Sequence, residues 1–190
     1  MVGLCARCVT PSVGRPRSID KESWKFFPTR LSTVIQYLLA APGSGKTTVA
    51  PLLRALLPGS VVLDWDAFMG PAGALAGVAI PQAPRTWAHY ERLVRTVVEQ
   101  IGSVNIVLLG VCTPAQLRGW PNGEWLLLDC ADAERRTRLA RRGHSAVVPE
   151  ALADAASYRS LDLPVVDSTN REPREVADAI VSMIAPAFKG

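Results

Sequence analysis

No run of 18 or more uncharged apolar residues occurs in this 190-residue sequence, so nothing in it reads as a membrane-spanning helix. The richest stretch, PAGALAGVAIPQAP (71–84), is short and broken by prolines. An excess of one charge sign is equally scarce over most of the chain. Residues 1–30 hold six basic side chains against two acidic ones, which accounts for the whole net charge of +4; residues 31–190 carry 15 of each sign. A surface that grips nucleic acid is therefore not expected on the body of the protein. Cysteine is sparse. Cys112 and Cys130 close apolar runs and read as small buried hydrophobes, while Cys5 and Cys8 form CARC, half of a zinc or redox pattern with no second half nearby. Disulfide stabilisation and secretion are not indicated. Internal repeats and low-complexity segments are missing too.

What is present reads as one soluble domain: 48% hydrophobic and 20% charged residues, on a chain long enough to bury a real core. Residues 1–30 show no sustained periodicity and contain three prolines, so they read as a basic, flexible extension beside a domain over 31–190. From residue 33 onward, apolar strand-like runs (33–40, 61–65, 104–110, 124–130, 163–167) alternate with helical patterns (47–57, 86–101, 132–143, 171–184). That alternation predicts an α/β fold, a parallel sheet with helices on both faces. Pro51 falls inside the first helix, where it removes a hydrogen bond at a cost of ~3 kcal/mol, so a kink or local tightening is expected.

Between the first strand and first helix stands APGSGKTT (41–48). Glycines let backbone amides wrap an anion, and the helix that follows adds its positive N-terminal dipole. Pro42, Gly43, Ser44, Gly45, Lys46, Thr47 and Thr48 form the expected cradle, with Lys46 on the terminal phosphates and the Thr47 hydroxyl on Mg2+. The pattern G-x-x-x-x-G-K-[ST] would open with glycine at position 40, where this chain has Ala40. Alanine fits there provided φ is negative.

Two further groups narrow the chemistry. VVLDWDAF (61–68) puts Asp64 and Asp66 two apart at a strand end. If the strand runs through both, the carboxylates share a side facing the crevice where α/β sheets bind ligands. One would hold Mg2+; the other would orient an acceptor hydroxyl or take its proton. Five arginines, 135, 136, 138, 141 and 142, crowd one helix. Arg138 and Arg142 lie one turn apart and are the candidates to spread positive charge around a migrating phosphoryl group. The segment 67–100, between the second and third strands, is the expected acceptor site. Arg85, Trp87, His89 and Tyr90 are its candidate ligands, Arg85 and Trp87 first, because a histidine and a tyrosine at such helix positions more often serve as surface and core residues.

Over about 33–185 these features resemble the P-loop small-molecule kinases, the group of shikimate and gluconate kinases related to nucleoside monophosphate kinases. APGSGKTT matches their loop apart from Ala40, LDWD resembles their D-x-D, LLLDCADAERRTRLARRGH looks like their fourth strand and the helix into a lid, and LPVVDSTNREPREVADAI looks like their final strand, adenine-contacting loop and last helix. The resemblance implies sheet order 2-3-1-4-5, Asp64 on Mg2+, Asp66 on the acceptor, Arg138 and Asp167 near the nucleotide, and a lid over about 135–160. It also implies ATP and Mg2+ as cofactors and a small-molecule hydroxyl as acceptor. The third strand ends LLGVCTP (108–114), without the glycine triplet of shikimate kinases, and the lid is short, so shikimate itself is not the expected acceptor.

The leading reading is a cytoplasmic, ATP-dependent phosphotransferase, monomeric or a small homo-oligomer, with no membrane and no nucleic-acid partner. Two alternatives stay open: a nucleotide-regulated ATPase or switch without a small-molecule acceptor, and a kinase acting on a nucleic-acid end or an amino-sugar nucleotide.

Overall fold

Five consecutive buried residues, Ile35–Leu39, make β1, the centre of the sheet, and their alternation builds both sides of the core. Leu38 and Ala40 point with Val107, Leu109, Leu126 and Leu128 towards one helical layer; Ile35 and Tyr37 point with Ile106 and Leu108 towards the other. The computed structural model describes residues 33–102 and 104–188. The extension expected over residues 1–30, with Cys5 and Cys8, lies outside them.

The remaining strands are β2 (Ser60–Asp64), β3 (Asn105–Gly110), β4 (Glu124–Asp129) and β5 (Val165–Asp167). All pair in parallel, in the order β2-β3-β1-β4-β5. Parallel neighbours require crossovers, and the helices supply them. On one face α1 (Lys46–Leu56) and α6 (Pro173–Phe188) bury Val49, Leu53, Val176, Ile180 and Ile184. On the other, α3 (Trp87–Ile101) buries Tyr90, Val94 and Val98, spaced by four, while Leu93 of the same apolar stripe is left 43% exposed. α4 (Asp132–Arg141) leads through a short link to α5 (Val148–Arg159), whose Ala155 and Tyr158 pack on Leu39, Ala41 and Leu127. Among the described residues, no helix is long and apolar enough to cross a membrane.

Two helices depart from the sequence reading. α2 (Met69–Ala76), MGPAGALA, carries two glycines and a proline that look like a loop. Pro71 sits in its first turn, where a missing N–H costs nothing, and Gly73 lets the chain fold back: a Cβ there would lie 2.9 Å from the Val78 carbonyl. α5 buries mostly alanines, too weak an apolar stripe to announce a helix. Pro51 lies on the exposed side of α1, which runs on through it.

Candidate active site

The chain leaves β1 through Ala40, fully buried, with its N–H donating to Gly110 O at 2.9 Å. Non-glycine residues with positive φ occur among the described residues only at Asp162 and Asn170, so Ala40 has the negative φ that alanine requires. Gly43 (φ 82°) and Gly45 (φ 103°) are left-handed, the conformation that does require glycine. The loop then turns so that its carbonyls face the protein. Ala41 O and Pro42 O accept from Arg135, Gly43 O from Cys130 Sγ and Arg138, and Ser44 O from Arg138 and Ser168. Among the described residues, nothing accepts from the amides of Gly43, Gly45, Lys46 or Thr47. A row of uncommitted N–H groups at the start of an eleven-residue helix is what an anion needs.

In front of these amides lie Lys46, Asp64 and Asp66. Lys46 is 7% exposed; its Nζ donates to Asp66 and lies 3.5 Å from Asp64 Oδ1. The reason the two carboxylates meet differs from the expected one. β2 stops at Asp64, and Trp65–Phe68 form a 3-10 turn, so Asp66 is not on the strand. Asp64 caps that turn by accepting from Asp66 N at 3.1 Å, and this swings Asp66 back onto Lys46. Thr47 and Thr48 are exposed on the first turn of α1. Thr47 and Asp64 offer oxygen donors, a set that fits Mg2+, which takes one or two protein oxygens and completes its shell with phosphates and water. No cluster of three or more His, Cys, Asp or Glu among the described residues makes a metal cage of its own.

Beside the loop opens a cavity of about 170 Å3 lined by Val49, Pro173, Val176 and three arginines, 138, 142 and 171. Arg138 is already committed: Nη1 donates to Ser168 Oγ (2.9 Å) and to the loop carbonyls, Nη2 to Ser168 O (2.7 Å) and Nε to Glu134 (2.8 Å). It lines the cavity with most of its donors used, which leaves it few to offer a further acceptor. Arg142 and Arg171 line the same cavity. Asp167 does not; it lies across β5 in a groove with Asp129, Asp132 and Arg159, where hydrogen bonds from Thr169 hold its carboxyl below the usual range. Its neighbour Ser168 faces the loop instead.

The acceptor side is less assembled. Arg85 is exposed on a 3-10 turn, Pro84–Thr86, and Trp87 is 37% exposed at the start of α3. No hydrogen bond or ion pair among the described residues joins either to Asp66. An apolar cavity of about 390 Å3 does lie here, lined by Ala72, Leu75, Ile80, Thr86, His89 and Tyr90. Tyr90 ties this cavity to the turn between Asp64 and Asp66: it is buried, its hydroxyl donates to Trp65 O, and its ring packs edge-on to Trp65 at 5.4 Å. Burial, then the nearby Asp66 and Asp64, push its hydroxyl well above the ordinary tyrosine range.

With this geometry the chain can be set against known proteins. No protein-family model matches it, and no curated protein does. Among solved structures it is similar to the shikimate kinase of Acinetobacter baumannii in complex with shikimate, at 20% identity, with a TM-score of 0.61 over 83% of this chain and 96% of that one. It is also similar to a gluconokinase from Sinorhizobium meliloti 1021 (15%, TM-score 0.56, 85% and 96% covered). A third is the tunicamycin resistance protein of Deinococcus radiodurans (18%, TM-score 0.60, 80% and 95% covered). The fold is that of the P-loop small-molecule kinases. Within this fold the loop after β1 and the ends of β2 and β3 meet at one crevice, and here that crevice holds Lys46, Asp64 and Asp66.

Arg135, one of the five arginines of α4 but not one of its two candidates, and Ser168 hold the loop from behind, and Asp129 in turn holds Arg135 and Arg159; Asp129, Arg159 and Ser168 carry no signal in the sequence. Asp129 ends an apolar strand six residues before Arg135, a spacing that carries no helix or strand signal. Ser168 is one small polar residue among several.

Proposed function

We propose that the protein is a Mg2+-dependent kinase that transfers the γ-phosphoryl group of ATP to a hydroxyl of a small molecule. The observation that carries this reading is the cradle itself: four loop carbonyls tied back into the protein, free amides in front, and Lys46 held between two carboxylates at its mouth. The likeness in fold to proteins described as shikimate kinase and gluconokinase supports it.

In this reading Lys46 leaves Asp66 for the β- and γ-phosphates when the nucleotide enters. That exchange frees the Asp66 carboxylate to accept a hydrogen bond from the acceptor hydroxyl. The acceptor oxygen attacks the γ-phosphorus, the bond to the β–γ bridging oxygen breaks, ADP leaves with the electron pair, and the proton passes to Asp66. Thr47 and Asp64 would hold Mg2+, which neutralises charge on the phosphates when bound. Arg138 lines the base cavity, with Asp167 behind it, and Arg142 is the arginine with donors left for phosphate oxygens. Arg85 and Trp87 flank the acceptor entrance. ADP release from Mg·ATP, measured alone and with a pooled extract of small metabolites, tests this. Release should rise with the pool and fall by at least about a hundredfold in Asp66→Ala. Release indifferent to the pool and to the substitution would replace the kinase with an ATPase or switch.

A further inference from the structure

We infer that Arg135 is the positioning residue of the phosphate loop, holding the peptides of residues 41–43 so that their carbonyls stay out of the cradle. The inference rests on reading that loop as the phosphate site. Arg135 is fully buried, the largest side chain of the core with no exposure. A guanidinium removed from water is expensive unless each donor finds a partner. Here Nη1 donates to Ala41 O (3.3 Å) and to Pro42 O, Nη2 donates to Asp129, and Nε has no partner among the described residues.

Charge balance does not explain this placement. Asp129 already has a second cation, since Arg159 donates Nε to its Oδ2 at 2.6 Å and Nη2 to its Oδ1 at 3.3 Å, and also reaches Asp132 at 2.8 Å. Removing Arg135 therefore leaves no carboxylate stranded. Packing alone does not call for it either, because apolar side chains of similar volume commonly stabilise a core as well as a buried ion pair. What no apolar side chain supplies is the pair of charge-assisted hydrogen bonds to consecutive carbonyls. The Arg135 stem adds a third contact: a Cβ on Gly43 would stand 2.9 Å from Arg135 Cγ, so the left-handed turn at Gly43 lies directly on it. A flip of the peptide between Ala41 and Pro42, or between Pro42 and Gly43, would turn a carbonyl towards the phosphates. Arg135 opposes both flips. Its spacing of three from Arg138 puts both on the side of α4 that faces the loop, one behind residues 41–42 and the other behind 43–44.

The test compares the full-length chain with Arg135→Met and Arg135→Lys. Three readouts are needed: amide hydrogen exchange in peptides spanning 40–48, the urea midpoint, and Mg·ATP affinity by titration calorimetry. Arg135→Met should speed exchange at Ser44 and Thr48, whose amides do have partners within the loop, by at least about tenfold and weaken Mg·ATP by a similar factor. Its urea midpoint should stay level or rise. Arg135→Lys keeps a charge but has a single nitrogen, which cannot serve both the loop carbonyls, held here by Nη1, and Asp129, held by Nη2, so it should loosen the loop as well. Unchanged loop exchange in a folded Arg135→Met protein would overturn the inference. So would protection lost throughout the sheet in Arg135→Met but fully restored by lysine, because Arg135 would then be balancing core charge. Should the unsubstituted chain bind no Mg·ATP, the kinase reading falls, and the loop exchange still decides the role of Arg135.

Discussion

Ala40 and Gly43 show how one motif position tolerates a side chain and another does not. Ala40 is packed among the strand residues at negative φ, so restoring the motif glycine should only loosen the chain: Ala40→Gly is expected to cost roughly 0.5–1 kcal/mol in urea denaturation and leave Mg·ATP affinity unchanged. Gly43→Ala meets both a φ of 82° and the Arg135 stem, so it should cost roughly 1–3 kcal/mol and abolish nucleotide binding in the same assays. Cys112, half-buried beside the site, gives a residue-scale prediction in pH. Burial first, then Glu91 and Asp66, push its thiol up to about 12, with Lys46 opposing. The reactive thiolate appears only as pH approaches that value. At pH 8 its alkylation by iodoacetamide, followed by mass spectrometry of the Cys112 peptide, should be roughly a thousandfold slower than that of an unperturbed cysteine.

At the scale of elements, α1 carries the clearest conflict between local preference and position. Pro51 withholds a hydrogen bond at mid-helix, yet Val49 and Leu53 on the buried side hold the helix to the sheet. Because Pro51 faces solvent, Pro51→Ala adds a backbone hydrogen bond without disturbing packing, and should raise stability by roughly 1–3 kcal/mol. A lower urea midpoint would show that the proline fits its place better than the helix rule allows. The end of β2 teaches the opposite lesson. Strand alternation put Asp64 and Asp66 on one side, but a 3-10 turn capped by Asp64 brings them together, so the pairing arises from a local side-chain hydrogen bond.

For the whole molecule, the uneven charge gives a test of the division at residue 30. Residues 31–190 are electrically balanced and contain every side chain of the proposed site. A chain beginning at residue 31 should therefore keep the urea midpoint and the ADP release of the full protein. Any salt-dependent retention of the full chain on a cation exchanger should largely disappear with the extension. Loss of ADP release on truncation would make residues 1–30 part of the working unit.

The sequence alone determined the five strands and four of the helices from residue 33, and the position of the glycine loop before Lys46, because both are written in short-range patterns: alternation, helical spacing, and glycines at fixed offsets from a lysine. It also put Asp64, Asp66 and Lys46 in one crevice. Tertiary structure decided the rest. α2 and α5 form because neighbouring elements bury faces too weakly patterned to announce themselves. Arg138 and Ser168 face the loop while Asp167 turns away, and Arg135 lies beneath residues 41–43. Such contacts join side chains roughly ninety or more residues apart along the chain, and a hydrogen bond at that separation leaves no period in the sequence.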